Sequence, residues 1–176
     1  RILSLSPSNT ELLFHLGAGD RLVGRSVNCV YPEEVAQVPS VGSLFPPDYE
    51  RLIHVKADLV LMSSGTESVR SKLEGYGFTV IVLQPKSVEA IADSLSILGK
   101  ALGINEISTQ KIESFRAQLT ELTSQKRGPR PRVFYEVWSR PLSSAGPTSF
   151  LGDLITVSGG ANVITDPSKP WPQVSE

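Results

Sequence analysis

Apolar and polar residues alternate along the first half of the chain in a pattern that predicts strands and helices in turn. Four short apolar runs predict buried strands at residues 2–5, 22–26, 59–62 and 79–83. Between them, apolar residues at a spacing of three or four predict helices at residues 7–16, 49–55 and 67–76. Because strands alternate with helices, we expect an α/β fold whose parallel sheet is covered on both faces.

Several residues support the bounds of these helices. Pro7 suits the entry to the first helix, and Ser8 with Glu11 has the spacing of a capping box. Gly17 and Gly77 stand where a glycine commonly ends a helix. In the short second helix, the spacing predicts that Leu52, Ile53 and Val55 face inward.

The middle of the chain, from residue 87 to about 125, carries no strand signal. Apolar residues recur there at helical spacing, with one interruption at Gly103. This pattern predicts a long helix, continuous or broken once, that leaves one lobe and reaches another. A helix of about 20 residues spans roughly 30 Å, the width of a small domain.

The last third of the chain predicts a second α/β lobe. We expect a strand at residues 132–138, a loop at 141–146, a helix at 150–157 capped by Ser149, and a strand at 161–164. Two strands are too little sheet for a complete lobe, so we expect the C-terminal lobe to be incomplete in this chain. The predicted domains are an N-terminal lobe at 1–86, a backbone helix region at 87–130 and a partial C-terminal lobe at 131–176.

The proline-rich segment at residues 166–176 is the strongest local signal for a binding surface. Trp171 lies between Pro170 and Pro172, and prolines hold the backbone extended while preventing it from joining a helix or a central strand. An aromatic side chain on a stiff loop loses little entropy when a ligand lands on it. We therefore expect Trp171 to form part of a preformed binding wall.

Composition and charge exclude several classes of function. The 176 residues carry 17 basic and 18 acidic side chains, a net charge of -1, so we expect no nucleic-acid partner. No stretch approaches the roughly 18 apolar residues of a membrane span, so we expect no membrane insertion of this segment. The single cysteine, Cys29, excludes a disulfide framework and a paired-cysteine metal or redox site.

Motifs for catalysis, metals and nucleotides are missing from the sequence. The two histidines, His15 and His54, lie in predicted helices, so we expect no metal site. The sequence has no GxSxG motif, and its cluster of glycines at 17, 19 and 24 follows a helix rather than a strand. We therefore expect neither a catalytic residue nor a cofactor.

Polar and aromatic residues instead collect where strands are predicted to end. Open α/β sheets bind ligands at the carboxyl ends of their strands. The segments expected there are residues 8–10, 28, 44–47, 63–66, 138–142 and 171. Because they are neutral, they suit a large ligand that is uncharged or internally compensated better than a phosphate or a bare ion.

Motifs at both ends of the chain resemble one family. The opening ILSLSPSNTEL at residues 2–12, LVG at 22–24, YP at 31–32 and KADLV at 56–60 resemble class III substrate-binding proteins of bacterial ABC importers. The segment WPQVS at 171–175 is similar to one in the cobalamin-binding type. The resemblance implies two α/β lobes joined by a rigid backbone helix, with the ligand held between them. It also implies a permease partner, no enzymatic activity, and a location in the periplasm or on an extracytoplasmic lipoprotein anchor.

The resemblance also implies ligand contacts at matching positions of this sequence. In order along the chain, these are Ser8, Asn28, Leu44, Ser63, Leu142 and Trp171. The cobalamin-binding type has aromatic residues at the positions of Asn28, Leu44, Ser63 and Leu142. We expect Phe45 and Trp138 to supply compensating aromatic surface.

The resemblance further implies that Glu67 is a rim glutamate that pairs with arginines of the permease. We expect the ligand to be cobalamin or a related corrinoid, as a transported molecule and not as a cofactor. A ferric siderophore or haem is the alternative within the family. A small α/β enzyme, such as a degenerate hydrolase, is the alternative outside it, and a pair of perturbed titratable groups in the cleft would favour that enzyme.

Overall fold

The computed structural model describes residues 1–63, 67–125 and 128–174. The chain divides into two compact units, Arg1–Gln84 and Pro85–Glu176, and both contain helices and strands, as the predicted α/β fold requires. The finer division of the chain at residues 86 and 130 stays a prediction. Among the described residues, every helix is too short or too polar to cross a bilayer.

The first unit is a four-stranded sheet with helices between its strands. Along the chain its strands and α-helices are β1 (Ile2–Ser4), α1 (Pro7–His15), β2 (Leu22–Arg25), α2 (Tyr49–His54), β3 (Leu59–Met62), α3 (Glu67–Gly75) and β4 (Thr79–Val82). Short 3₁₀ helices cover Gly19–Arg21 and Glu33–Gln37. The strand order is β2-β1-β3-β4, and every pairing is parallel, so the predicted parallel sheet is confirmed.

Both faces of this sheet are buried. On one face, Leu3 and Val60 are register partners and belong to a hydrophobic cluster that also contains Leu52 of α2 and Leu73 of α3. On the other face, Ile2 is also buried. A strand buried on both faces is continuously apolar, and this explains why β3 could be predicted at its observed bounds.

Two details of the first unit differ from the sequence prediction. The N-cap of α1 is Ser6, with Pro7 as the first helical residue, so the predicted capping box of Ser8 and Glu11 is wrong. Ser8 already lies inside the first turn, where its side chain cannot cap. In α2, Leu52 is buried but Ile53 is exposed, because the apolar run is longer than the face that the helix buries.

The second unit begins with two helices that pack against each other, α4 (Ala90–Leu102) and α5 (Asn105–Ser124). Gly103 ends α4 with a φ of 69°, a conformation that glycine adopts without strain. Ser108 Oγ donates to Leu95 O at 2.8 Å, and Arg116, farther along α5, pairs with Glu89 at 2.6 Å. The helical region is thus broken once, as predicted, but the helices run antiparallel, so it is not one straight rod.

Short strands and one helix complete the second unit. They are β5 (Arg132–Val133), β6 (Glu136–Ser139), β7 (Leu142–Ser144), α6 (Phe150–Val157) and β8 (Ala161–Asn162). β5 pairs with β8 in parallel, whereas β6 and β7 form an antiparallel hairpin. Ser149 caps α6 by accepting a hydrogen bond from the Gly152 N–H at 3.0 Å, as predicted.

The prediction of the strands in this unit was partly wrong. The apolar run at 132–138, predicted as one strand, is two strands, because the chain leaves β8 after Val133 and pairs with β7 from Glu136. The segment predicted as a loop at 141–146 contains β7. The last strand is two residues long instead of the predicted four.

Candidate functional site

The carboxyl edge of the sheet in the first unit carries three of the residues predicted from the sequence. Ser8, Asn28 and Ser63 follow β1, β2 and β3, and strands that run parallel end at the same edge. In parallel sheets of this strand order, ligands bind in the crevice outside the carboxyl ends of β1 and β3, where the strand order reverses. Ser8, which is exposed, and Ser63, which is half-buried, lie at that point.

The loop after β2 is held by one side chain. Arg25 donates hydrogen bonds to four main-chain carbonyls, those of Val35 at 2.9 Å, Val38 at 3.1 Å, Cys29 at 3.2 Å and Ser26 at 3.4 Å. Hydrogen bonds from a charged donor are stronger than neutral ones. The guanidinium group therefore fixes the loop that presents Asn28 at the carboxyl edge.

A neighbouring segment places an aromatic side chain next to this loop. The Val27 N–H donates to Gly42 O at 3.0 Å, and the Ser43 hydroxyl, which accepts from the Phe45 N–H at 3.1 Å, stabilises the turn that follows. Phe45 is 53% exposed, whereas Leu44 is 9% exposed and belongs to the hydrophobic cluster. Of these two predicted residues, Phe45 presents surface to solvent and Leu44 anchors the segment in the core.

Sequence reasoning did not single out three exposed apolar side chains in the same loop. Val27, Val30 and Tyr31 are all exposed, Val30 at 71% and Tyr31 at 65%. One exposed apolar residue is ordinary, but several in one loop are a feature that marks binding surfaces. The available signal was the motif YP at residues 31–32, which supported only the family resemblance.

In the second unit, the proline-rich segment pairs with β7 as a third strand. The N–H groups of Gly146 and Ser144 donate to the carbonyls of Pro170 at 2.8 Å and Pro172 at 3.1 Å, and the Val174 N–H donates to Leu142 O at 2.9 Å. The segment 170–174, β7 and β6 thus form a three-stranded antiparallel ribbon. The segment is extended and at the edge, as its prolines require.

Trp138 and Trp171 lie on one face of this ribbon. Trp138 is the register partner of Ser143, which is in turn the partner of Gln173, and paired residues share a face. Trp171 is two residues before Gln173, so it projects to that face as well. Trp138 is 66% and Trp171 49% exposed, and the Trp138 indole N–H donates to Arg140 O at 2.9 Å.

Leu142, the other predicted contact of this unit, is adjacent to Ser143 along β7 and is half-buried. Side chains of successive strand residues project to opposite faces. Leu142 therefore lies on the face of the ribbon away from Trp138 and Trp171, and the structure does not bring it together with them.

Glu67 is the first residue of α3, and its side chain is 79% exposed. Its carboxylate is 4.0 Å from Arg70, whose guanidinium hydrogen-bonds more closely with Glu74 at 2.9 Å. The hydrogen bond with Glu74 raises the pKa of Arg70. Because Arg70 is engaged mainly by Glu74, Glu67 keeps an exposed carboxylate. Ser64, Gly65 and Thr66 of the same predicted loop lie outside the described residues.

Acidic and metal-ligating groups are sparse at these surfaces. Within residues 1–63, 67–125 and 128–174, no cluster of three or more histidine, cysteine, aspartate or glutamate side chains could hold a metal ion. Near the ribbon, the Ser168 N–H donates to Asp166 at 2.9 Å and lowers the pKa of that carboxyl group. Two hollows of about 340 and 320 Å³ in the first unit contain none of the predicted site residues.

Comparison with known proteins decides the family. The model of a family described as periplasmic binding protein matches residues 2–176. The chain belongs to the periplasmic binding protein family. The resemblance drawn from its motifs is thereby confirmed, and the α/β fold is that of the family's solved members.

Individual members of the family give the extent of the likeness. A vitamin B12-binding protein of Yersinia pestis is 32% identical over 99% of this chain. The crystal structure of a periplasmic vitamin B12 binding protein of Vibrio cholerae has a TM-score of 0.84 and 29% identity, and covers 99% of this chain and 70% of its own. A periplasmic haem binding protein of Pseudomonas aeruginosa has a TM-score of 0.87 and 25% identity, with 99% and 66% covered.

The chain is shorter than these family members. It spans 64% of the length of the Yersinia protein. The family members are binding proteins by name, and they include binders of two different macrocycles, so membership alone leaves the ligand of this chain open.

Proposed function

We propose that this chain is the ligand-binding part of a receptor for a bacterial ABC importer, and that its ligand is cobalamin or a related corrinoid. The receptor would act outside the cytoplasmic membrane, free in the periplasm or as an anchored lipoprotein. The observation that carries the proposal is the pair of exposed tryptophans, Trp138 and Trp171, on one face of the ribbon. The vitamin B12-binding relatives support it independently.

The chemistry of the exposed residues suits such a ligand. A corrinoid is a large macrocycle with an apolar body and a periphery of uncharged amides. Aromatic side chains bury apolar surface and stack on flat groups, whereas neutral polar groups fix orientation through hydrogen bonds. Main-chain hydrogen bonds already hold the ribbon in shape, so little order has to be gained on binding.

We propose further that residues of both units contact the ligand. In the first unit these are Ser8, Asn28, Phe45 and Ser63, together with Tyr31, which is exposed in the same loop as Asn28. Leu44 contributes by anchoring the segment that carries Phe45, and Leu142 by supporting the ribbon from its other face. Phe45 and Trp138 supply the aromatic surface that the cobalamin-binding type has at the positions of Asn28, Leu44, Ser63 and Leu142.

The test is titration with cyanocobalamin, followed by calorimetry and by quenching of tryptophan fluorescence. Trp171→Ala should weaken binding by about 1–3 kcal/mol, the cost of losing one aromatic anchor. Tyr76→Ala is the matched control, because Tyr76 is also 49% exposed but lies between the end of α3 and the start of β4, at the edge of the sheet opposite its carboxyl edge. Equal affinity in Trp171→Ala and wild type, with Trp171→Ala folded, would remove Trp171 from the site.

Haem is the second candidate ligand, and Tyr31 is the observation that favours it. Tyr31 is 65% exposed in the loop after β2, and a tyrosine phenol oxygen is one of the groups that ligate haem iron in proteins. Haem binding through Tyr31 would give a shifted Soret band on addition of haemin that Tyr31→Phe abolishes. Tight cyanocobalamin binding in wild type, with haemin spectra identical in wild type and Tyr31→Phe, would exclude this alternative.

For the permease partner, we propose that Glu67 forms a rim ion pair with an arginine. Its carboxylate is exposed, and a glutamate–arginine pair is directional and sensitive to salt. Glu67→Ala should leave cyanocobalamin affinity unchanged and reduce capture of the receptor by its cognate permease. Glu106→Ala, which removes another exposed first-turn glutamate, is the control. Normal capture of Glu67→Ala would contradict the role.

A further inference from the structure

Asp153 links the first turn of α6 to the start of α4. Its Oδ2 atom accepts a hydrogen bond from the Val88 N–H at 2.7 Å, although the two residues are 65 positions apart in the sequence. Val88 is buried and Asp153 is half-buried, so this hydrogen bond is largely shielded from water. A hydrogen bond to a carboxylate is stronger than one between neutral groups. Asp153 therefore holds together two helices that are distant in the sequence.

The start of α4 is a fixed point of the second unit. Val88 O accepts the hydrogen bond from the Ile91 N–H at 3.2 Å that begins the helical turns, so the Val88 N–H itself lies before the helical ladder. The next residue, Glu89, is held by Arg116 of α5 at 2.6 Å. The Val88 N–H thus belongs to a frame made by two packed helices, and Asp153 attaches α6 to that frame.

The first turn of α6 also holds the segment that carries Trp171. The Asp153 N–H donates to Ser149 O at 3.0 Å, and the Ser149 hydroxyl donates to Gly146 O at 2.7 Å. The Gly146 N–H in turn donates to Pro170 O at 2.8 Å, directly before Trp171. An unbroken series of hydrogen bonds therefore leads from the Asp153 carboxylate to the tryptophan.

We propose that Asp153 is a positioning residue of the ligand site, which fixes α6 to the start of α4 and thereby sets the place of the Trp171 indole. The inference rests on the proposed function, because it takes Trp171 as a ligand contact. The effect passes through Ser149, Gly146 and Pro170, so Asp153 itself does not need to touch the ligand. A displaced aromatic anchor loses affinity even in a folded protein, because tight binding depends on side chains that already lie where the ligand needs them.

The first experiment removes the hydrogen bond from either end and measures cyanocobalamin affinity by calorimetry. Asp153→Ala removes the acceptor, and Val88→Pro removes the donor with a residue that the start of a helix tolerates. Both should raise the dissociation constant about three- to tenfold. Asp153→Asn keeps an acceptor oxygen in a side chain of the same shape, so its affinity should lie between those of wild type and Asp153→Ala.

Asp93→Ala is the matched control for these variants. Asp93 is the first-turn aspartate of α4, it is exposed, and its carboxylate has no hydrogen bond or ion pair with another described residue. Its replacement should leave the affinity unchanged. If Asp153→Ala and Val88→Pro also bind within about twofold of wild type, or if Asp153→Asn binds no better than Asp153→Ala, the positioning role is wrong.

A double-mutant cycle separates positioning from a purely structural role. A residue that only stabilises the fold would lower the thermal midpoint and leave the affinity of the folded protein unchanged. In a Trp171→Ala background, Asp153→Ala should cause no further loss of affinity, because the side chain that Asp153 positions is gone. An equal loss of affinity in both backgrounds would overturn the proposal.

Fluorescence decides the proposal without a ligand. If wild type does not bind cyanocobalamin, the proposed function fails, but Trp138→Phe still leaves Trp171 as the only tryptophan of the chain. In this background Asp153→Ala and Val88→Pro should shift the emission maximum of Trp171 and change its quenching by acrylamide, whereas Asp93→Ala should not. Identical emission and quenching in all of these proteins would refute the role of Asp153. Val88→Pro and Asp153→Asn serve for the same comparisons if Asp153→Ala does not fold.

Discussion

Replacing Gly146 with alanine should displace Trp171 without touching it. Gly146 is buried two residues after the end of β7, and its N–H donates to Pro170 O. A Cβ atom built on Gly146 would press against the Lys169 carbonyl oxygen, well inside contact distance, and would lie 3.3 Å from Pro170 O. On its other side, Gly146 O is held by the N-cap of α6, because both the N–H and the hydroxyl of Ser149 donate to it. Gly146 therefore has no free direction in which to move.

The loss in free energy of unfolding caused by Gly146→Ala can be estimated from two ways in which the clash is relieved. If the surroundings shift to accept the methyl group, overpacking costs about 1–3 kcal/mol, and distortion of the Gly146–Pro170 hydrogen bond adds about 0.5–1.5 kcal/mol. If the segment 170–174 instead leaves β7, three main-chain hydrogen bonds are lost, which costs a similar amount. Either way, the free energy of unfolding should fall by about 2–4 kcal/mol, and the thermal midpoint by roughly 4–16 °C.

The assay is urea unfolding combined with cyanocobalamin titration of the same preparations. Gly146→Ala should lose both stability and affinity, since the ribbon that carries Trp171 is disturbed. Gly128→Ala is the matched control from the same unit, because a Cβ atom there meets nothing within 4 Å. If Gly146→Ala matches wild type in midpoint and affinity, the close approach of the proline-rich segment to β7 is wrong.

Two other predictions follow from hydrogen bonds near the proposed surfaces. Arg25→Met keeps the apolar stem but removes four hydrogen bonds, although Ser26 O and Val35 O keep main-chain donors. Urea unfolding should therefore show a loss of about 2–4 kcal/mol; a loss below about 0.5 kcal/mol would contradict the role of Arg25 in holding its loop. For Asp166, the Ser168 N–H lowers the pKa of the carboxyl group, so its stabilising contribution is present above the ordinary aspartate pKa and disappears as the pH falls through the lowered value. In an NMR titration, Ser168→Pro should return the Asp166 pKa toward its ordinary value, whereas Ser168→Ala should return it only in part. If Asp166 titrates with the same midpoint in wild type and in both variants, Ser168 is not the cause of the lowered pKa.

The sequence predicted the first unit better than the second, and the reason is physical. β3 is buried on both faces and flanked by polar residues, so its own composition marks its bounds. The run at 132–138 is mostly apolar, but it contains Arg132 and Glu136. Its middle residues, Phe134 and Tyr135, lie between two strands that pair with different partners. A change of partner depends on residues distant in the sequence, and local periodicity carries no information about it.

The candidate site shows the same limit at the scale of single residues. Leu44 and Phe45 are adjacent apolar residues in a loop, and nothing in their spacing says which one is buried. The structure assigns Leu44 to the core because the Ser43 hydroxyl and the hydrogen bond from Val27 to Gly42 set the path of that segment.

Trp171 could be predicted because the residues on both sides of it restrict the backbone by themselves. Pro170 and Pro172 occupy the positions that face β7, where they accept hydrogen bonds from Gly146 and Ser144 but have no N–H to return. The intervening Trp171 belongs to a pair that makes no hydrogen bonds with β7, so its own N–H and C=O point to the free edge of the ribbon. Proline fixes φ on either side of it, and the alternation of the strand then directs the indole to the face that Trp138 shares. The motif thus restricts both the pairing of the segment and the direction of its aromatic side chain, which is why a local pattern could predict that Trp171 is exposed on an extended segment; its contact with a ligand stays a proposal.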